Sequence, residues 1–475
     1  MGRPVPISRR RFLTGAAAAG PAILLTGERA RAANAKRPNV IFVFADQLRG
    51  CALRCMGNRQ ARTYQIDKLA RQGVLFTNAY SANPVCSPYR ATLHTGRYSH
   101  ANGVMQNDVQ LPLDSATLAK AFKAHGYSTA FIGKWHLHGG PRNPGFVPPG
   151  PARQGYDYWA ANICQHDYFN TIYFRDEPRL LRIDGYEPDG FTDLAIDYIA
   201  HHKDGPFFLC MAWGPPHNPY VAPPTYTRLY QRYPVRKRRN VPKGLKGTAA
   251  SDHRQLQRYH AAVANLDWNL GRLADTLDRI GIADDTVLCF SSDHGDMLGS
   301  QGQFRKCRPW EESAHIPLII RYPRGTRRPA RSDVLFNSVD VMPTLLSLAG
   351  APIPRGVQGH DLSFAVRGTE GREPSSLYLG FHCRWQGIQP WRAVVTKDWK
   401  YVRREDGPWL LYDRRRDPYE LRNLADHRAL QAQRANLDNT LASWMARTGD
   451  DWAKFRLPSL VPPDYRRWQR KPTKG

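Results

Sequence analysis

Acidic residues are scarce in this 475-residue chain. Asp and Glu total 41 against 68 Lys and Arg, and the formal charge is +27. Such an excess bears on partners rather than on fold. It points to polyanions (nucleic acid, anionic membranes, sulfated or phosphorylated substrates) or to a generic Arg-rich surface. There is no zinc finger, RRM-like motif or basic helical repeat, so nucleic acid is not the expected partner. Beyond the N-terminus no apolar stretch is long enough to cross a bilayer as a helix, which excludes a permanent span of that kind. The eight cysteines, at 51, 55, 86, 164, 210, 289, 307 and 383, are too scattered for a metal-binding framework. Cys51 and Cys55 are close enough to pair in an oxidising compartment, whereas Cys210 and Cys289 lie in apolar runs and are expected as buried thiols. No internal repeat occurs. Disorder is excluded by a hydrophobic content of 41%.

The N-terminus has the layout of an export signal. Ser8-Arg9-Arg10-Arg11-Phe12-Leu13 precedes an apolar run from Gly15 to Leu25, and Ala30-Arg31-Ala32 supplies a small-x-small cleavage pattern. Residues 1–32 are therefore expected to be a twin-arginine signal peptide, read by the twin-arginine translocase. The protein is expected in the periplasm or outside the cell. An uncleaved anchor or a basic tail is the competing reading.

Strand-like apolar runs alternate with helical periodicity over residues 36–370. Asn39 to Ala45 is a continuous apolar run ending at Asp46, as a parallel strand buried on both faces would be. Further strands are expected at 74–80, 128–133, 206–213, 286–291 and 316–320. Helices are expected at 66–72, 115–125, 192–202, 259–280 and 339–349. This alternation predicts an α/β fold with a mostly parallel central sheet flanked by helices. Over residues 375–475, short strands at 377–380, 393–396, 400–403 and 409–412 and a helix at 430–446 predict a smaller antiparallel sheet with a helix and a tail. The basic stretch 232–246 reads as a loop.

Polar groups recur where the predicted strands end, the place where open α/β sheets bind ligands. They are Asp46-Gln47, Lys134 with His136, His217, and Asp293-His294. A fifth segment holds Cys86-Ser87-Pro88-Tyr89-Arg90, followed by Thr95-Gly96-Arg97. The Cys-x-Pro-x-Arg run with Thr-Gly-Arg resembles the signature of type I, formylglycine-dependent sulfatases in the alkaline phosphatase superfamily. Gly133-Lys134-Trp135-His136, Pro216-His217, Ser292-Asp293-His294-Gly295-Asp296 and Lys306 follow in the family's order. So do Leu411-Tyr412-Asp413 and Asp417-Pro418, and the resemblance spans residues 37 to about 425.

The resemblance implies an alkaline-phosphatase-like fold and hydrolysis of a sulfate monoester. Cys86 would be oxidised to formylglycine (3-oxoalanine) by a sulfatase-maturating enzyme, and one hydroxyl of its hydrate would attack sulfur. Asp46, Asp293, His294, Gln47 and residue 86 would surround a divalent metal, with Gln47 either a ligand or behind one. Ca²⁺ suits the oxygen-rich set, and the imidazole leaves Mn²⁺ or another transition metal open. Pro88 near a helix start puts residue 86 at a helix N-terminus, a natural anion site. Arg90 would steady the hydrate, Lys134, His136 and Lys306 would bind sulfate oxygens, and His217 would donate a proton to the leaving oxygen, alone or with Lys306. His94, His100, His138 and Asp296 read as structural or supporting residues. His166, Asp167, His382 and Arg384 are candidates for the substrate pocket. The charge favours a sulfated carbohydrate. A phosphonate or phosphate ester hydrolase of the same superfamily and a non-catalytic binder of acidic glycans are the alternatives.

Overall fold

A computed structural model describes residues 37–140, 145–233, 235–245, 253–385 and 387–453. The expected signal peptide and the tail from Lys454 lie outside them. Among the described residues ten strands precede residue 340: β1 (Asn39–Asp46), β2 (Val74–Tyr80), β3 (Ser128–Lys134), β4 (Tyr158–Asn162), the short pair β5 (Ile172–Tyr173) and β6 (Leu181–Arg182), β7 (Phe207–Pro216), β8 (Thr286–Ser292), β9 (Leu318–Arg321) and β10 (Ala330–Asn337). Eight of them form one sheet in the order β10-β2-β9-β8-β1-β7-β3-β4. Only β9 runs antiparallel to its neighbours in that sheet.

The apolar runs are unbroken because both faces of this sheet are covered. Along β1, Val40, Phe42 and Phe44 enter one core, with side chains of the helices Cys86–Thr95, Leu118–Ala124 and Val341–Leu348. Ile41, Val43 and Ala45 enter the other, with the helices Tyr64–Gln72, Glu187–His202 and His253–Arg279. Each buried Val, Ile or Phe stabilises the fold by roughly 1.5–3 kcal/mol. A one-residue slip would exchange the two sets, so the register is firmly specified and the polar residues after each strand land together. At the end of β3, Gly133 has φ 108°, and a Cβ there would lie 2.0 Å from the Ala212 carbonyl oxygen on β7. Only glycine brings Lys134 in at this spacing.

A second, antiparallel sheet comprises β11 (Leu377–Phe381), β12 (Trp391–Val395), β13 (Trp399–Arg404) and β14 (Gly407–Asp413). Leu377, Leu379 and Phe381 share a core with Met297, Trp310, Val85 and Cys307, the last two being chain neighbours of Cys86 and Lys306. Tyr378, Val394 and Leu411 on the other face hold Leu437, Leu441 and Trp444 of the helix Gln431–Thr448. The small sheet thus backs the segments that carry the polar residues.

Local differences from expectation have local causes. The helix expected over 339–349 is a 3₁₀ turn, Ser338–Asp340, leading into Val341–Leu348, because Asn337 and Asp340 form a capping box at its start. Thr117 caps Leu118–Ala124 through Lys120 N–H, which delays that helix by three residues. Pro224–Arg232 is a helix that was not expected. Cys51 and Cys55 are free thiols, and Cys210 and Cys289 are fully buried. Among the described residues no helix is long and apolar enough to cross a membrane.

Candidate active site

β8, β1, β7 and β3 are consecutive, parallel neighbours, so their C-terminal ends share one edge of the sheet. That edge carries Asp46 and Gln47, Lys134 and His136, His217, and Asp293 with His294. The chain leaves it in unusual conformations: Gln47, His136, Arg305 and Cys307 have φ of 72°, 56°, 61° and 71°. Non-glycine residues in this region cost about 1–3 kcal/mol each and persist where their surroundings hold them. Gln47 N–H is held by Asp293 Oδ1 at 2.9 Å and Arg305 N–H by Asp296 Oδ1 at 3.1 Å.

Cys86 opens the helix Cys86–Thr95 and is 1% exposed. Its Sγ lies 2.7 Å from Lys306 Nζ, 3.4 Å from His294 Nε2, 3.6 Å from Asp46 Oδ1 and 3.8 Å from Lys134 Nζ. Burial and Asp46 push the thiol up, but Lys134, Lys306 and His294 outweigh them and hold it well below its ordinary range. Arg90, one turn along, donates to the Lys134 carbonyl, contacts Asp46 Oδ2 and Asp293 Oδ2 at 3.3 Å each, and lies over the Phe44 ring.

The two carboxylates differ. Burial raises Asp46, yet Lys134, whose Nζ is 2.6 Å from Oδ2, overcomes this and holds it well below the usual range. Asp293 is pushed up to about 6 by burial and by the charge of Asp46. Against these two acids stand the buried cations Arg90, Lys134 and Lys306. With residue 86 uncharged, these three cations outweigh the two acids, and the site presents positive charge in a water-poor setting to an anionic ligand.

The donor set fits a divalent cation. Ligand atoms of Asp46, Cys86, Asp293 and His294 all lie within 4.8 Å of one another. His294 Nδ1 donates to the Gly295 carbonyl oxygen at 2.9 Å, which turns Nε2 toward the cluster as the atom that would serve a cation. Gln47 donates from Nε2 to Asp296 Oδ2 at 2.6 Å, which leaves Oε1 buried without a partner. Two carboxylates and an imidazole, with a buried amide oxygen left unpartnered on the residue that follows Asp46, are donors of the kind a hard or borderline cation takes.

His217 donates from Nδ1 to the Asn218 carbonyl at 2.7 Å, and its Nε2 lies 3.1 Å from Lys306 Nζ. Burial, Lys306 and His166 hold this imidazole well below its ordinary range, so it is neutral. His166 stacks on it at 4.2 Å. His136 is also buried, with Nε2 3.0 Å from Asp108 Oδ1. Asp167 and Arg384 are exposed. His382, a pocket candidate from the sequence, is instead buried against His100 at 3.2 Å and near Asp450 at 3.6 Å. His94 sits among Phe131, Trp135 and Tyr156. Sequence reasoning missed Asn107, Asp108 and Tyr220. Tyr220 donates to Asp296 Oδ2 at 2.6 Å, the oxygen that Gln47 also reaches. These three carry no motif spacing, and only the chain crossing reveals them.

The family model described as sulfatase matches residues 38–351, and one described as N-sulphoglucosamine sulphohydrolase, C-terminal, matches 299–447. An ulvan-active sulfatase of Formosa agariphila is 34% identical, the match covering 88% of this chain and 82% of that protein. An N-acetylglucosamine-6-O-sulfatase of Bacteroides thetaiotaomicron is 28% identical, with 82% and 83% covered. A structure solved in complex with its substrate D-glucosamine-2-N,6-O-disulfate superposes with a TM-score of 0.79 at 26% identity, covering 88% of this chain and 99% of the other. The phosphonate monoester hydrolase of Agrobacterium radiobacter shares the fold at a TM-score of 0.73 and 24% identity, with 87% and 96% covered.

Proposed function

The chain belongs to the sulfatase family, and on that premise we propose that it hydrolyses a sulfate monoester on a carbohydrate, with residue 86 as nucleophile after oxidation of Cys86 to formylglycine. Membership makes it a sulfuric ester hydrolase of the alkaline phosphatase superfamily. The observation that carries the mechanism is the ring of Lys306, His294, Asp46 and Lys134 around Cys86 Sγ, all within 3.8 Å.

The modified side chain supplies a nucleophilic hydroxyl and a second one whose deprotonation releases sulfate. Asp46, Asp293, His294 and Gln47, with residue 86, are the groups that would hold a divalent cation, Ca²⁺ or Mn²⁺ by donor type, whose contribution is to polarise the ester oxygens. Every other task falls to side chains already in position. The helix N-terminus beneath residue 86 favours negative charge. Lys134 and Lys306 bind the sulfate oxygens as fixed cations, with His136 as a further partner, and Arg90 keeps both carboxylates in place. His217 Nε2 and Lys306 Nζ share the proton that passes to the leaving oxygen, and water restores it.

A carbohydrate substrate is supported by the named substrates of the two relatives and by the +27 charge. The N-terminal layout supports export by the twin-arginine translocase after cytoplasmic maturation, hence a periplasmic or secreted enzyme. Residues 36–370 are assigned as the catalytic part and 375–475 as the C-terminal subdomain and tail. The test is expression with a sulfatase-maturating enzyme, followed by mass analysis of the peptide containing residue 86 and assays on aryl sulfate, aryl phosphonate and sulfated sugars. An intact thiol in a competent host removes the nucleophile and favours a glycan binder. A clear preference for the phosphonate sinks the substrate class.

A further inference from the structure

One loop ties the start of the nucleophile helix to the end of β3. Asn107 Oδ1 accepts the Ser87 N–H at 3.0 Å, one of the donors that a helix start leaves without a partner. Ser87 Oγ donates to the His136 carbonyl at 2.7 Å. The next loop residue, Asp108, places Oδ1 3.0 Å from His136 Nε2. Both ends of that contact are shielded, with side chains 1% and 9% exposed. Asp108 has φ 65° and His136 φ 56°, so each lies in the left-handed region to make the contact. Beyond it the loop continues along the same partner: Leu111 N–H donates to the Leu137 carbonyl, and Gln110 bridges His138.

The contact sets the chemistry of the imidazole. A carboxylate accepts a hydrogen, so Nε2 carries one and the ring cannot turn over without leaving that carboxylate unmatched. Nδ1 is buried and has no hydrogen-bond partner. The ring is two residues from Lys134, whose Nζ reaches residue 86. An imidazole with Nε2 fixed and a buried Nδ1 unspent is ready for a ligand that the protein does not supply.

We propose that Asp108 is a positioning residue for the sulfate site: by holding Nε2 of His136 it keeps Nδ1 for the ester bound over residue 86, while Asn107 fixes the same loop to the nucleophile helix. The assignment rests on the sulfatase reading. If Asp108 acts only through His136, the two residues form one unit, and their losses do not multiply.

The experiment uses matured full-length enzyme with 4-nitrophenyl sulfate, comparing wild type, Asp108→Ala, Asp108→Asn, His136→Ala and the Asp108→Ala/His136→Ala double variant. Melting temperatures are measured alongside. Asp108→Ala should lose about 10–100-fold in kcat/KM, by analogy with the loss when a partner that orients a metal-ligating histidine is removed. Asp108→Asn, which still accepts from Nε2, should recover most of that loss. The double variant should match His136→Ala. Multiplying losses, or an Asp108→Ala effect confined to the melting temperature, would overturn the assignment. Formylglycine-bearing wild type that turns over no sulfate ester fails the function reading instead. The affinity of the same variants for inorganic sulfate then decides the pair: an unchanged affinity in both single variants refutes it, and equal non-additive losses uphold it.

Discussion

Lys306 Nζ lies 2.7 Å from Cys86 Sγ, and the same ammonium is 3.1 Å from His217 Nε2. Burial works against its charge, while Cys86 and Asp46 hold it protonated. One cation therefore faces both the residue proposed to attack and the imidazole proposed to serve the leaving group. It is aimed from a segment with left-handed residues on either side, Arg305 and Cys307.

Lys306→Met keeps the side chain's length and removes its charge. We expect kcat/KM to fall by about 10²–10³-fold, the usual effect of deleting one donor aimed at transition-state charge. The melting temperature should hold or rise, because a buried ammonium is costly and Lys134 and Arg90 remain. Calorimetry beside steady-state kinetics checks both; a large stability loss with little change in rate would contradict the assigned role.

His217→Ala separates proton donation from binding. An aryl sulfate with an acidic phenol leaves with little help, whereas a sugar alkoxide needs a proton. The variant should lose about 10²–10⁴-fold on a sugar sulfate, the usual span of general acid–base catalysis. It should lose much less on 4-nitrophenyl sulfate. Equal losses on both would assign His217 to binding alone.

Metal removal should lower stability as well as activity. Chelation followed by graded addition of Ca²⁺ or Mn²⁺ should raise the melting temperature by mass action, equivalent to about 2.7 kcal/mol at one hundred times the dissociation constant. Asp293→Asn should blunt that response, since the carboxylate that burial and Asp46 push up to about 6 is the one a cation relieves. A melting temperature indifferent to metal in the wild type contradicts the ligand set.

Acid should unfold the protein earlier than its carboxylates alone would predict. His94, His260 and His382 are buried and each is lowered to about 3, first by burial and then by Arg90, Arg49 and Arg392 respectively. In the unfolded chain each takes a proton near pH 6.5, so the unfolded state binds more protons between pH 6.5 and 3. Stability is then full above that window and falls as pH drops through it, by on the order of 4 kcal/mol per pH unit for three sites. Urea unfolding at pH 7, 6 and 5 reads the slope. A flat profile over that range would show that these rings are charged when folded.

The strands that hold the site were legible because each is an apolar run ended by a polar residue, as Val40 to Asp46 is. Those at the sheet's two edges were not. β10 opens with Ala330-Arg331-Ser332-Asp333, mostly exposed, and β4 is only five residues long, so neither leaves a strong pattern. Nothing in Leu318–Arg321 says that β9 runs antiparallel, since direction depends on its neighbours.

The sequence alone determined which groups sit at strand ends, because an unbroken apolar run buried on both faces can stop only where polar atoms find partners. It also determined the helix start at residue 86, through Pro88 and the motif around it. Only the tertiary structure decided that Lys306, 220 residues away, meets Cys86. It likewise decided that Gln47 keeps an orphaned oxygen, that Asp108 holds His136, and that His382 belongs to a buried cluster with His100 and Asp450. Periodicity records how each segment meets the core, which is a local property. The pairing of buried charges depends on which loops the sheet order brings to one edge, and that is settled by packing over the whole chain.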